Sequence, residues 1–232
     1  MTSVTPHIGF PFSPTLQSLS NQFLEAAADS HAKSGEYFYK VILQLTDEVI
    51  DYLLVQTAEI AQVNNVGQKV INMCASTSNK ASAMLSAKIY KKASTSDMQK
   101  VATLWQNMIK NTQPDHSGDW YLAQPIDASL AKDLDDILNE KGEQSHFSPA
   151  DIETIMQRYE RLIETIIDGF FLRPAESVKL GAVTRKLLHL GTDGVKQASN
   201  AVIHKVVKKL EPQQLGTYVD FTSQFYLRAA LN

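Results

Sequence analysis

SGEYFYKVILQLTDEVIDYLLVQTAEIAQVN, residues 34–64, decides the fold class. Phe38, Val41, Ile42, Leu45, Val49, Leu53 and Ile60 recur at helical spacing and trace one apolar side. Read as a single helix, this segment would be about 45 Å long, closer to a rod than to an average globular helix. Upstream, Ser13-Pro14 supplies a hydroxyl cap and a first-turn proline, and Leu16, Leu19, Phe23, Ala26 and Ala27 follow on one face.

The same period continues downstream. Val66, Val70, Met73 and Thr77, then Ala81, Met84 and Ala87 or Lys88, keep a 4-3-4 rhythm like a short coiled-coil seam. Ser96 with Gln99 reads as a capping box before Met98, Val101, Leu104, Trp105, Met108 and Ile109. Residues 111–125, with two prolines and Gly118, break the period. Beyond them Asp127 caps one helix, Ser148-Pro149 with Asp151 opens another, and three further helical patterns cover about 175–190, 194–210 and 213–230. Gly191-Thr192-Asp193-Gly194 reads as a turn between two of them. No alternating strand is convincing. The expected fold is all-α: long amphipathic helices in an antiparallel bundle over residues 1–112, a linker at 113–126, and a second bundle of shorter helices over 127–232.

Composition narrows the function classes. Lys and Arg number 22 against 25 Asp and Glu, a net charge of −3, and the single cysteine, Cys74, excludes an internal disulfide framework and a multi-cysteine metal cluster. No basic residue precedes Lys33 and no apolar run is long enough to span a bilayer, so neither an export signal nor a transmembrane segment is expected and the cytoplasm is the expected compartment. Charge comes in blocks. Residues 66–112 hold 7 basic and 1 acidic side chains, residues 113–176 hold 5 and 14, and residues 177–211 hold 7 and 2. Such blocks favour antiparallel packing of neighbouring helices. Lys80, Lys88, Lys91, Lys92 and Lys100 also make a basic strip suited to phospholipid or nucleic acid.

Chemistry is sparse. There is no Gly-x-Ser-x-Gly elbow, P-loop or dinucleotide glycine pattern. Glu143 and His146 give one unpaired Glu-x-x-His spacing, Glu160, Glu164 and Asp168 read as a solvated face beside Arg158 and Arg161, and Cys74 reads as a core thiol. The loop from Asp115 to Tyr121, with His116, Asp119 and Trp120, gathers the most reactive groups, but no second cluster completes a site. No catalytic residue, metal ligand or cofactor is therefore expected. The informative surface is the sided segment from Val66 to Ala93. Val66, Val70, Met73, Met84, Leu85 and Ile89 form its apolar face, and small polar residues including Ser76, Ser78, Ser82 and Ser86 form the other.

Long, low-charge helices rich in Ala, Ser, Gln and Asn, with Met84-Leu85-Ser86-Ala87-Lys88 followed by Ser96-Asp97-Met98-Gln99, resemble the phasins, bacterial proteins that coat polyhydroxyalkanoate granules. The resemblance covers about residues 15–112 and is mainly compositional. The insertion Ile89–Thr95 departs from the usual shorter join, and nothing after Asn111 is accounted for. It implies a non-catalytic, self-associating oligomeric coat protein that attaches to a hydrophobic granule, lipid surface or protein partner through amphipathic helices. Two other readings stand beside it: a nucleic-acid binder using the basic helices at 66–112 and 194–210, with Lys196, Lys205, Lys208 and Lys209, and a helical-bundle enzyme with a site near His116.

Overall fold

In the computed structural model, which describes residues 5–113, 118–143, 148–228 and 231, the expected start signals work. The Leu16 N–H donates to Ser13 Oγ at 3.0 Å, opening α1 (Pro14–Ala28). The next helix, α2 (Ser34–Ile50), does not stop at Ile50. It widens into a π-helical stretch, Asp51–Gln56, and ends with one α-turn, Thr57–Ile60. Asn64 caps α3 (Asn65–Tyr90), and α4 (Thr95–Met108) is capped by Ser94 with Asp97, two residues before the expected box at Ser96.

After the central break come α5 (Ala128–Glu143), where Asp127 Oδ1 accepts the Leu130 N–H at 2.8 Å, and α6 (Pro149–Ile167). Ser148 and Asp151 close the expected reciprocal box on α6: Ser148 Oγ accepts the Asp151 N–H and Asp151 Oδ2 accepts the Ser148 N–H. This helix, too, passes into a π-helical stretch, Asp168–Leu172, and a last turn, Arg173–Glu176. Then α7 (Ala182–Lys205) and α8 (Pro212–Ser223) complete the helices. The fold is predominantly helical, as the periodicity predicts.

Two expectations fail. Residues 120–125, assigned to a linker, form an inner strand of a small antiparallel sheet. Strands β1 (His7–Pro11), β2 (Ile109–Asn111), β3 (Trp120–Pro125) and β4 (Tyr226–Leu227) lie in the order β2-β3-β1-β4, with Ile8 opposite Gln124 and Phe10 opposite Leu122. The strands are two to six residues long, too short for a repeating alternation, which is why the pattern is silent about them. The sheet joins the two ends of the described chain to its middle, and one hydrophobic core runs from Ile8 to Phe225 across the proposed boundary.

Secondly, α7 continues through Gly191–Gly194 with no turn. Gly191 serves packing instead: a Cβ there would come 2.4 Å from the Leu85 side chain, so the bare backbone lets α3 and α7 approach closely. Neighbouring pairs such as Gly67 with Val206, Cys74 with Ser199 and Leu85 with Gly191 make these two helices antiparallel. The acidic and basic blocks meet where α6 packs on α7, through Lys196–Asp168 (2.9 Å), His204–Glu160 (2.6 Å) and Lys208–Glu153 (3.5 Å).

Candidate functional site

Between α2, α3, α6, α7 and α8 the core leaves a partly enclosed cavity of about 130 Å³. Its wall follows α2 from Ile42 to Leu54 and α3 from Ser78 to Tyr90, about 18 Å along each helix axis. On the other side it follows α6 from Tyr159 and continues through the π-helical stretch to Phe171 and Ala175. Both π-helical stretches border it, contributing Leu53 and Leu54 in one case and Phe171 in the other. Each widens its helix by one residue per turn, and such widenings occur often at functional sites.

The wall is apolar, and none of its described residues is charged. Its hydroxyls are mostly already engaged. Thr46 Oγ1 donates to the Ile42 carbonyl at 2.7 Å and lies 2.6 Å from Ser82 Oγ. Ser86 Oγ donates to the Ser82 carbonyl, Tyr159 Oη pairs with Thr222 Oγ1, and Thr192 Oγ1 donates to the Leu188 carbonyl at 3.0 Å. Tyr90 and Tyr218 differ: neither hydroxyl has a hydrogen-bond partner among the described residues. Burial raises the pKa of Tyr90, Tyr159 and Tyr218 well above the ordinary phenol value, so all three are neutral donors at physiological pH.

An unfilled apolar void costs about 24 cal/mol per Å³ in core substitutions, so one of this volume corresponds to about 3 kcal/mol of forgone packing. The aromatic clusters of the core are packed more tightly. Phe38 packs against Phe23, Tyr90 and Trp105 at 4.5–5.3 Å between ring centroids, and Phe10 against Phe170 and Phe225 at 5.6 and 5.2 Å.

The six residues of the expected apolar face divide into two groups. Leu85 and Ile89 are buried and line the cavity. Val70 is half-buried against a small cluster of Ala58, Ile71, Cys74, Val202 and Val206. Val66, Met73 and Met84 face outward, 71%, 61% and 61% exposed. The division follows from packing: α3 is held by α2 and α7, so its buried arc runs through Ile71, Cys74, Ser78, Leu85 and Ile89. Ser78 and Ser86, expected on the wet side, are buried as well.

Lys69, Lys80, Lys88, Lys91, Lys92 and Lys100 are all exposed. Lys100 pairs with Asp97 at 3.3 Å, and the Lys91 ammonium sits 4.1 Å from the centre of the Tyr39 ring. Lys69, Lys80, Lys88 and Lys92 have no carboxylate within 4 Å among the described residues. The basic residues of α7 do not follow a turn, since the helix is unbroken, and Lys196 and Lys208 are paired with α6. Cys74 is buried, 3.9 Å from Ser199 Oγ, and burial raises its thiol pKa, which suits a packing role.

Asp115, His116, Ser117 and His146 lie outside the described residues. Of the remaining reactive loop, Asp119 backbone atoms pair with Thr112, and Trp120 opens strand β3. No group of three or more His, Cys, Asp or Glu among the described residues could hold a metal ion. Arg158 and Arg161 reach away from their own acidic neighbours to α5, where Arg161 meets Asp127 and Asp133 at 3.0 and 2.6 Å. No described helix is long and apolar enough to cross a membrane.

No family model matches the chain, and neither a curated protein nor a solved structure is significantly similar to it.

Proposed function

We propose that the protein is a non-catalytic binding protein that takes an apolar ligand between its helices. One observation carries this: an uncharged, apolar cavity of about 130 Å³ beside a tightly packed aromatic cluster. For scale, a dry cavity of about 150 Å³ lined by Leu, Ile and Phe binds benzene. The mechanism is desolvation of the ligand, at roughly 25 cal/mol per Å² of apolar surface removed from water. The test is calorimetric titration with benzene, an uncharged probe of the size that the cavity admits. Val195 lines the cavity, and Val195→Phe narrows it. Saturable binding to the native chain, weakened or lost in Val195→Phe, supports the reading; no binding, or equal binding in the variant, refutes it.

A second reading, attachment of the outer side of α3 to a hydrophobic or anionic lipid surface as in a phasin-like coat, is favoured by a different observation. Val66, Met73 and Met84 are exposed beside uncompensated lysines, and residues 65–90 contain no Asp or Glu. Interfacial helices combine these features. Vesicles of phosphatidylcholine with and without phosphatidylglycerol test it: co-sedimentation should vanish in Met73→Asp/Met84→Asp with helical content unchanged. Absence of co-sedimentation with either vesicle removes this reading and leaves the cavity untouched.

A further inference from the structure

Resting on the reading of α3 as an attachment surface, we infer that the docking face is built by α3 and α7 together and that its occupant is the surface of an anionic phospholipid bilayer. The helix pair gives the face. Gly67 meets Val206 and Leu85 meets Gly191 across the antiparallel contact, and Cys74 lies against Ser199. The residue before a contact position is turned from it by about 100°, and in an antiparallel pair that turn brings both helices to the same side. Val66 with Lys205, Met73 with Ala198 and Met84 with Leu190 therefore share one side of the pair, and all but Ala198 are exposed. Val183, two turns before Leu190, lies on that side as well. Among the described residues, every large exposed apolar side chain except Ile60 belongs to this face, with Val183 and Leu190 of α7 71% and 59% exposed.

The pattern gives the kind of surface. Along α3 the outward residues Val66, Lys69, Met73, Lys80, Met84 and Lys88 fall within an arc of about 100°, over about 33 Å of helix. Lysines and apolar side chains thus share one stripe instead of taking opposite edges, and on α7 Lys186 stands one turn from both Val183 and Leu190. A protein partner would have to match that alternation sideways, position by position. A bilayer stacks phosphate above acyl carbon, so one stripe reaches both: Met and Leu enter the acyl boundary, while lysine stems lie along it and their ammonium groups stay with the phosphates.

Charge gives the sign. Residues 65–90 and 182–205 together hold 7 Lys and Arg and 1 acidic residue, Asp193, so 7 − 1 leaves +6. Lys196 is turned to Asp168 of α6, and the other six basic side chains are exposed. Duplex phosphates would use these cations but leave Met73, Met84, Val183 and Leu190 in water.

The experiment is co-sedimentation of the full chain with vesicles of phosphatidylcholine alone and mixed with phosphatidylglycerol. Binding to the mixed vesicles should be about tenfold tighter or more, and should weaken as salt is raised. Leu190→Ser should weaken it about tenfold and Lys186→Gln about fivefold, with helical content unchanged because both side chains are exposed. Lys132→Gln, which removes the same charge from α5, should bind like the native chain. Either α7 variant binding as tightly as the native chain overturns the inference while the reading of α3 stands. Equal binding to neutral and mixed vesicles overturns it too, since the surface is then not chosen for its charge. Duplex DNA that displaces the native chain and Leu190→Ser from the vesicles equally well assigns the cations to a nucleic acid and overturns it. Absence of binding to either vesicle removes the reading of α3, and this inference with it.

Discussion

Two parts of one core behave differently. Around Phe38, the rings of Phe23, Tyr90 and Trp105 fill space edge to face, and the Trp105 indole N–H donates to Ser20 Oγ at 3.1 Å. A few residues further along α2, from Thr46 to Leu54, comparable apolar side chains stand around a void. The aromatic end shows that this chain can pack tightly, so the looseness at the other end is not a general failure to fill the interior. It teaches that apolar composition is compatible with either outcome. Short side chains along the wall, such as Ser78, Ser82 and Ser199, accompany the open outcome.

The largest effect should come from the packed end. Trp105 and Phe38 are fully buried, and Trp105→Ala removes both ring contacts and a hydrogen-bond donor, leaving Ser20 unpaired. A loss of about 3–5 kcal/mol is expected, read from the urea midpoint. A loss below about 1 kcal/mol would show that the aromatic end is as loose as the cavity. Next in size, and opposite in sign, is filling the void. Val195→Phe adds roughly 50 Å³ of side chain to the void and should stabilise the ligand-free chain by up to about 1 kcal/mol, part of the packing forgone there. A destabilised variant would mean that the void is shallower than its volume implies and that added atoms strain the wall.

Much of the helical part was legible in the sequence because its signals are local. Ser13, Asp127 and the Ser148–Asp151 pair are read from adjacent residues, and each makes the expected hydrogen bond. Endings were less legible. The chain leaves α1 and the last turn of α2 through Ser30 and Gln62 in the left-handed region, both at φ 52°, where glycine is the usual marker. Glycines pointed the wrong way at residues 191–194, because close helix contact and a turn both call for a missing side chain. The sheet escaped because its pairing is remote: β1 at residue 7 depends on β3 at residue 125. The cavity was illegible for the same reason. Leu85 and Ile89 were singled out as apolar, but only α2, α6 and α7 determine that they border a void while Val66, Met73 and Met84 face water. The Ser78-Ser82-Ser86 spacing was the one available hint, four-residue steps of small side chains on a face that proves to be inward.

A third prediction uses pH to compare the two ends directly. Tyr90, Tyr159 and Tyr218 have raised pKa values because burial disfavours the phenolate. The folded state thus holds these protons more tightly than the unfolded chain, whose phenols titrate near pH 10. Their contribution to stability is complete below pH 10 and is lost as pH rises beyond it. The urea midpoint should be flat up to pH 9 and fall above 10, and the fall should be shallower in Tyr159→Phe, which has one fewer proton to release. Equal slopes would place Tyr159 in contact with water in the folded protein.

The smallest effect concerns a surface cap far from the void and serves as the control for all the others. Ser148 holds the first turn of α6 through the Asp151 N–H, and the Ser148 N–H in turn holds the Asp151 carboxyl below its ordinary range. Ser148→Ala should cost about 1 kcal/mol at neutral pH, as other hydroxyl caps do. Because a depressed carboxylate stabilises only above its unfolded pKa, part of the difference between native and variant should shrink as pH falls below about 4. Binding of the apolar probe should be unchanged, since Ser148 stands outside the cavity wall. If Ser148→Ala instead weakened probe binding as much as Val195→Phe, general loosening of α6 rather than occupancy of the cavity would explain both, and the contrast between the packed and open ends would lose its functional meaning.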